Sequence, residues 1–206
     1  MVMVLDCFEH SFVINANHAK ERFANVSAQL ESVGITFERF HAIQPSETSD
    51  KVRLGELGCS LSHISVVELA KARGYANVLI FEDDAIFKPN FAEEWKSILP
   101  EVKKLDYDLL YLYDWGAHRD ENSPTILEKR STMCTHAYAV SSKYYDHFIR
   151  LISGTSRKFS IDSVLWASKA NKWCISPSLV GQADCKSTIN GVRYKARFDG
   201  IYTEPT

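Results

Sequence analysis

Three carboxylates in a row, Glu82-Asp83-Asp84, follow four apolar residues, Val78-Leu79-Ile80-Phe81. Acids packed this closely repel one another at neutral pH, and a hard divalent cation such as Mn²⁺ or Mg²⁺ is the simplest counter-charge. In an extended stretch Glu82 and Asp84 point to one side and Asp83 to the other. That is the geometry of a D-x-D-type motif. One acid ligates a cation bridging the two phosphates of a nucleoside diphosphate, and a neighbour hydrogen-bonds a ribose or sugar hydroxyl. The expected chemistry is metal-assisted departure of a diphosphate from a sugar. The same tripeptide would also suit a solvated turn after a strand, so its surroundings have to decide.

Further residues of chemical interest surround it in the sequence. Glu56, Ser60 and His63 are spaced i, i+4, i+7, on a helical face distinct from the stripe of Leu57, Leu61 and Ile64. Such a polar stripe either lines a donor pocket or forms an ordinary solvent-facing side. Asp114 ends the apolar run 109–113, and Asp162 opens a helix, where a carboxylate also serves as a cap or a partner for the dipole. Arg22 on an amphipathic helix is able to meet a diphosphate or to sit in solvent. Gln182, Lys186 and Ser187, late in the chain, could hold phosphate oxygens.

The elements that must position these groups read as alternating strands and helices. An opening strand at 11–15 precedes apolar residues at Phe23, Val26, Leu30 and Val33, one helical face stopped by Gly34. A second strand at 36–43 ends before the turn-prone Gln44-Pro45-Ser46. The helix carrying Leu57 to Val67 ends at Gly74. The acid-tipped strand is apolar enough to be buried on both faces, as in a parallel sheet, which puts the acids at its C-terminal edge, where open α/β sheets bind ligands. A helix with Phe91, Trp95, Ile98 and Val102 on one side, a strand at 108–113 and a polar loop or lid at 114–130 follow. A strand at 135–140, a helix capped by Ser142, a short helix at 161–170 and a strand at 173–175 complete the pattern. Beyond Pro177 the chain reads as polar and irregular.

The totals bound the function. A chain of 206 residues without a Pro/Gly/Ser-rich linker is expected to form one domain. Twenty-four Lys and Arg against 26 acids give a net charge of -2, which offers nucleic acid no global attraction. Five scattered cysteines without a CxxC pair fit neither a disulfide framework nor a structural zinc site. The N-terminus is a poor signal peptide, and no apolar run approaches the roughly 20 residues of a membrane span. The expected location is the cytoplasm, either free or peripheral to the inner face of a membrane.

Gly55-Glu56-Leu57-Gly58-Cys59-Ser60-Leu61-Ser62-His63, followed by Val78 through Ala85, resembles the G-E-x-G-C-x-x-S-H helix and E-D-D-A strand end of glycosyltransferase family 25. That family contains lipopolysaccharide/lipooligosaccharide galactosyltransferases and collagen β-galactosyltransferases. Phe12-Val13-Ile14-Asn15 with Glu21-Arg22, Thr135-His136-Ala137-Tyr138, Ile161-Asp162 and Ser187-Thr188-Ile189 are similar to further family segments in the same order. The resemblance covers about residues 11–190. Asn15 is followed by Ala16 where an apolar residue is usual, and 114–132 matches no family segment, which leaves the acceptor open.

The resemblance implies a GT-A-type α/β fold with a mostly parallel central sheet flanked by helices. It implies transfer of a hexose, galactose foremost, from a UDP-sugar to a saccharide or glycolipid acceptor, with inversion at the anomeric carbon and Mn²⁺ or Mg²⁺ as cofactor. Asn15, Arg22, Glu56, Ser62, His63, Glu82, Asp83 and Gln182 become candidates for the donor site, and Glu82, Asp84 and His136 for the metal. Inversion by single displacement needs a base on the face opposite the diphosphate. Asp162 is the first candidate for it and Asp114 the second. A non-catalytic nucleotide- or sugar-binding module and a metal-dependent phosphoesterase are the competing readings.

Overall fold

The computed structural model describes residues 7–47, 53–115 and 123–183, with the backbone of two short strands beyond them. The elements are β1 (His10–Asn15), α1 (Lys20–Ser32), β2 (Glu38–His41), α2 (Leu54–Ala72), β3 (Asn77–Glu82), β4 (Ala85–Phe87), α3 (Phe91–Val102) and β5 (Leu109–Tyr111). They continue with β6 (Ile126–Glu128), β7 (Ala137–Ser141), α4 (Tyr145–Thr155), α5 (Ile161–Ala167), β8 (Lys172–Ser176), β9 (Val180–Gln182), β10 (Cys185–Lys186) and β11 (Arg193–Tyr194).

Seven strands form the central sheet in the order β2-β1-β3-β7-β5-β8-β6. β1 runs parallel to β2 and β3, and β5 parallel to β8, whereas β7 is antiparallel to both β3 and β5 and β6 antiparallel to β8. Five strands therefore share a direction, and their C-terminal ends make one edge. This is the α/β architecture, mainly parallel and flanked by helices, expected for a GT-A-type chain.

The period of two along the central strands divides their side chains between two cores. Val13, Leu79, Phe81, Leu110 and Ala139 pack with Val26 and Leu30 of α1 and Phe91, Trp95 and Ile98 of α3. Phe12, Ile80, Tyr111 and Tyr138 pack with Ile64 and Val67 of α2, Phe148 of α4 and Leu165 of α5. Each central strand thus has no polar face, which is why it reads as a continuous apolar run.

Three expectations need correction. The polar stretch 114–130 contains a strand, β6, which closes the sheet edge by pairing with β8; residues 116–122 of that predicted lid lie outside the described residues. The segment beyond Pro177 is not irregular: β9 pairs antiparallel with β4, which continues the chain directly past the acids. Three-residue strands are too short to show a period. Ser142 begins a 3-10 turn rather than capping α4, and makes no side-chain cap bond. Among the described residues no helix is long and apolar enough to cross a membrane.

Candidate functional site

The three acids do not behave as one extended tripeptide. β3 ends at Glu82, and Asp83-Asp84 form a turn before β4. Glu82 follows Phe81 and so leans to the α2 side of the sheet, while Asp83 leans to the α1 side. The turn then carries Asp84 toward α1 as well, because a turn breaks the alternation that would have returned it to the side of Glu82. The expected pairing of Glu82 with Asp84 is replaced by a pairing of Asp83 with Asp84.

On the α1 side, Arg22 forms an ion pair with Asp83 and lies 3.2 Å from Asp84 Oδ2. Asn15, at the end of β1, donates to Asp83 Oδ2 at 2.5 Å and is itself held by Arg39, whose Nη2 donates to Asn15 Oδ1 at 2.5 Å. Gln182 donates to Asp84 Oδ2 at 3.0 Å, a contact created by the β4–β9 pairing, in which Ala85 stands opposite Gln182. Ala183 N–H adds a bond to the Asp84 carbonyl at 2.7 Å. Burial, countered by Arg22 and reinforced by Asp84, pushes Asp83 up to about 6. Burial and then the Glu82 charge raise Asp84 in the same direction. Arg22 therefore leaves the cluster with an excess of negative charge, and its donors are hard oxygens. That combination fits a divalent cation.

On the α2 side, Glu82 Oε1 accepts from Thr135 Oγ1 at 2.8 Å and lies 3.5 Å from His63 Nε2. Burial opposes its charge, but His63 and the Thr135 hydroxyl outweigh that, and Glu82 sits at about 2. Thr135 Oγ1 also lies 3.0 Å from Asp162 Oδ1. Burial first and the Glu82 charge second push Asp162 up to about 6. Asp162 is delivered by α5, whose C-terminal end is held by Lys172: its buried ammonium donates to the carbonyls of Leu165, Trp166 and Ser168 at 2.9, 2.7 and 2.7 Å. A cation on the last carbonyls complements the helix dipole.

A cavity of about 310 Å³ opens between α1, α2 and the loop after β2. Ile14, Ala42, Ile43, Pro45 and Leu54 form an apolar part, Arg22 and His18 a basic part, and Glu82, Asp83, Cys59, Ser62 and His63 complete the lining. The cavity is at the small end of the usual range for small-molecule sites.

Ser62 is fully buried; its hydroxyl donates to Gly58 O at 2.6 Å and accepts from Ile43 N at 2.8 Å, clamping the loop after β2 onto α2. Gly58 is required there, because a Cβ would meet Ile43 O at 2.5 Å. Glu56 accepts from Arg53 N–H at 3.0 Å and closes the first turn of α2. Beyond the half-buried Glu56 the polar face of α2 does not meet bulk solvent: Ser60 and His63 are fully buried. His136 is buried edge-on to the Tyr113 ring, 3.5 Å from Val180 O, and is close enough to Glu82 and Asp84 to act on both charges. Asp114 is buried apart from the cavity, with Arg130 3.3 Å from its Oδ2 and its N–H on Ser178 Oγ at 2.9 Å. The side chains of Lys186 and Ser187 lie outside the described residues. Thr135 and Cys59 were not singled out in the sequence; each falls inside a quoted motif, which was the only available signal.

The family described as Glycosyltransferase family 25 (LPS biosynthesis protein) matches residues 8–160. A Mus musculus protein named inactive glycosyltransferase 25 family member 3 is 48% identical over 60 residues, 28% of this chain and 10% of its own. A glycosyltransferase 25 family member of Aedes aegypti is 27% identical over 151 residues, 63% of this chain and 25% of its own. The matched part thus spans a tenth to a quarter of the length of these relatives. Among solved structures, a glycosyltransferase involved in the glycosylation of the major capsid of PBCV-1 is similar over 70% of this chain and 65% of that chain, with 12% identity and a TM-score of 0.41.

Proposed function

The chain belongs to glycosyltransferase family 25, and from that premise we propose that it moves a hexose, galactose foremost, from a UDP-sugar to a hydroxyl of a saccharide or glycolipid acceptor. The observation that carries the reading is the buried carboxylate pair Asp83–Asp84 at the C-terminal edge of β3, held by Arg22 beside a cavity of small-molecule size. The apolar part of the cavity suits a nucleobase, and Arg22 and His18 suit a diphosphate. Asp83 and Asp84, with His136 near Asp84, would hold Mn²⁺ or Mg²⁺. When bound, such a cation supplies positive charge against the diphosphate as it leaves.

The residues divide the remaining work. Asn15 fixes the Asp83 carboxylate, Gln182 fixes that of Asp84, and Arg22 offers a guanidinium that can turn from the aspartates to phosphate oxygens. Asp162 is the base of the proposal: with its proton held to about 6, it is mostly ionised at neutral pH yet more basic than an ordinary aspartate. It takes the proton of the acceptor hydroxyl as that oxygen attacks, and inversion follows from the single displacement. Asp114 is engaged by Arg130 rather than linked to Glu82 through Thr135, and is the weaker candidate for that role.

A second reading has its own support. The mouse relative is named inactive, which favours a donor-binding module without turnover. One experiment separates the two: UDP-hexoses are incubated with Mn²⁺ and a panel of saccharide acceptors, and released UDP is measured. Acceptor-stimulated release supports transfer. Donor binding without release supports the module, and neither binding nor release removes both.

A further inference from the structure

Cys59 and His63 stand one helical turn apart on α2 and line the cavity beside Glu82. Cys59 Sγ, a His63 ring nitrogen and a Glu82 carboxylate oxygen all lie within 4.8 Å of one another. His63 is fully buried, its Nδ1 fixed 2.9 Å from the Tyr138 hydroxyl. Its Nε2 makes no well-formed hydrogen bond; the Glu82 oxygen facing it is 3.5 Å away, close enough for His63 to lower the Glu82 carboxyl but not to satisfy the ring nitrogen. A buried ring nitrogen held this loosely is better satisfied by an occupant that it can ligate. A thiol, an imidazole and a carboxylate form a ligand set of the kind found in open zinc sites, where three protein ligands leave a fourth position free.

We propose that Cys59, His63 and Glu82 form a binding site for a borderline-soft divalent ion of the zinc class, separate from the hard-oxygen position at Asp83 and Asp84. Tetrahedral zinc needs ligand atoms about 3.4–3.8 Å apart, so the side chains close in by roughly an ångström on loading. Tyr138 provides the outer support: with Nδ1–H donating to its hydroxyl, the lone pair of Nε2 faces the ion. The Cys59 thiol is protonated in the empty site, and the ion replaces that proton, which leaves to solvent. A thiolate ligand selects zinc or cobalt over magnesium and manganese. The fourth position opens into the cavity, so occupancy competes with any ligand bound there. The site stands whether or not the chain transfers sugar.

Cobalt reports thiolate ligation directly. Titration of the whole chain with Co²⁺ should give a thiolate-to-cobalt charge-transfer band in the near ultraviolet that saturates at one ion per chain and is erased by Zn²⁺. Cys59→Ser should remove the band and weaken binding at least about tenfold, whereas Asp84→Asn should keep the band. If Cys59→Ser does not fold, alkylation of wild-type protein provides the second readout: Zn²⁺ should protect Cys59 from iodoacetamide, as mapped by mass spectrometry. No band in wild type, an unchanged band in folded Cys59→Ser, or a Cys59 alkylated equally with and without Zn²⁺ overturns the site.

Discussion

Glu82 and Asp162 hold two sides of a single hydroxyl: Thr135 Oγ1 lies 2.8 Å from Glu82 Oε1 and 3.0 Å from Asp162 Oδ1. A hydroxyl has one proton to donate. Glu82 at about 2 remains an acceptor, so the chain of bonds is complete only when Asp162 is protonated and donates to Thr135, which donates to Glu82. Above about 6 the Asp162 proton is lost and its carboxylate becomes available as a base.

Transfer should show an acid limb near pH 6, because ionised Asp162 is the proposed base. Asp162→Asn should lower kcat by about 10²–10⁴ while donor affinity changes only a few-fold. A variant retaining wild-type kcat would remove Asp162 from the mechanism.

Thr135→Val deletes the shared hydroxyl and should lower kcat by roughly tenfold and move the acid limb, whereas Thr135→Ser should restore both. An unmoved limb in Thr135→Val would mean that the hydroxyl does not govern the Asp162 proton.

The metal-free fold should respond to pH in an unusual direction. Asp83 and Asp162 have folded values raised to about 6, so between about pH 4 and 6 the folded state binds more protons than the unfolded chain, and stability falls as pH rises through that window. Glu82 works oppositely: its contribution is present above its ordinary value and lost only as pH falls toward about 2. Tm without metal should therefore be higher at about pH 5 than at about pH 7.5, and Mn²⁺ should narrow the gap. A Tm falling steadily from the higher pH to the lower would contradict the charge excess.

Gly58→Ala drives a Cβ to 2.5 Å from Ile43 O, backbone that cannot swing aside. The expected loss is about 1–3 kcal/mol, read by denaturant unfolding, with weaker donor binding because the loop after β2 lines the cavity. Unchanged stability would show that the loop moves freely.

Much of this was legible in the residues themselves. β1, β3 and β5 are apolar runs because both faces are buried, and the acids after Phe81 were placed correctly at the sheet edge. The split between Glu82 and the two aspartates was not legible, because it depends on where β3 stops and turns into β4, and a three-residue strand has no period. The Gln182–Asp84 contact needed the β4–β9 pairing, which joins segments far apart in the chain. Ser60 and His63 read as part of a polar helical stripe. Their burial follows from α2 packing against the sheet and alongside α4, with His63 on the Tyr138 hydroxyl, and no local pattern records that. The Thr135 bridge depends on the antiparallel insertion of β7 between β3 and β5.

The most direct test of the central claim is calorimetric titration of UDP-galactose into the chain with Mn²⁺ and with EDTA, in wild type and Asp84→Ala. The account predicts binding in Mn²⁺ that weakens at least about tenfold in EDTA and likewise in Asp84→Ala with its fold intact. Absence of binding in both conditions, or equal affinity in wild type and Asp84→Ala, would contradict it.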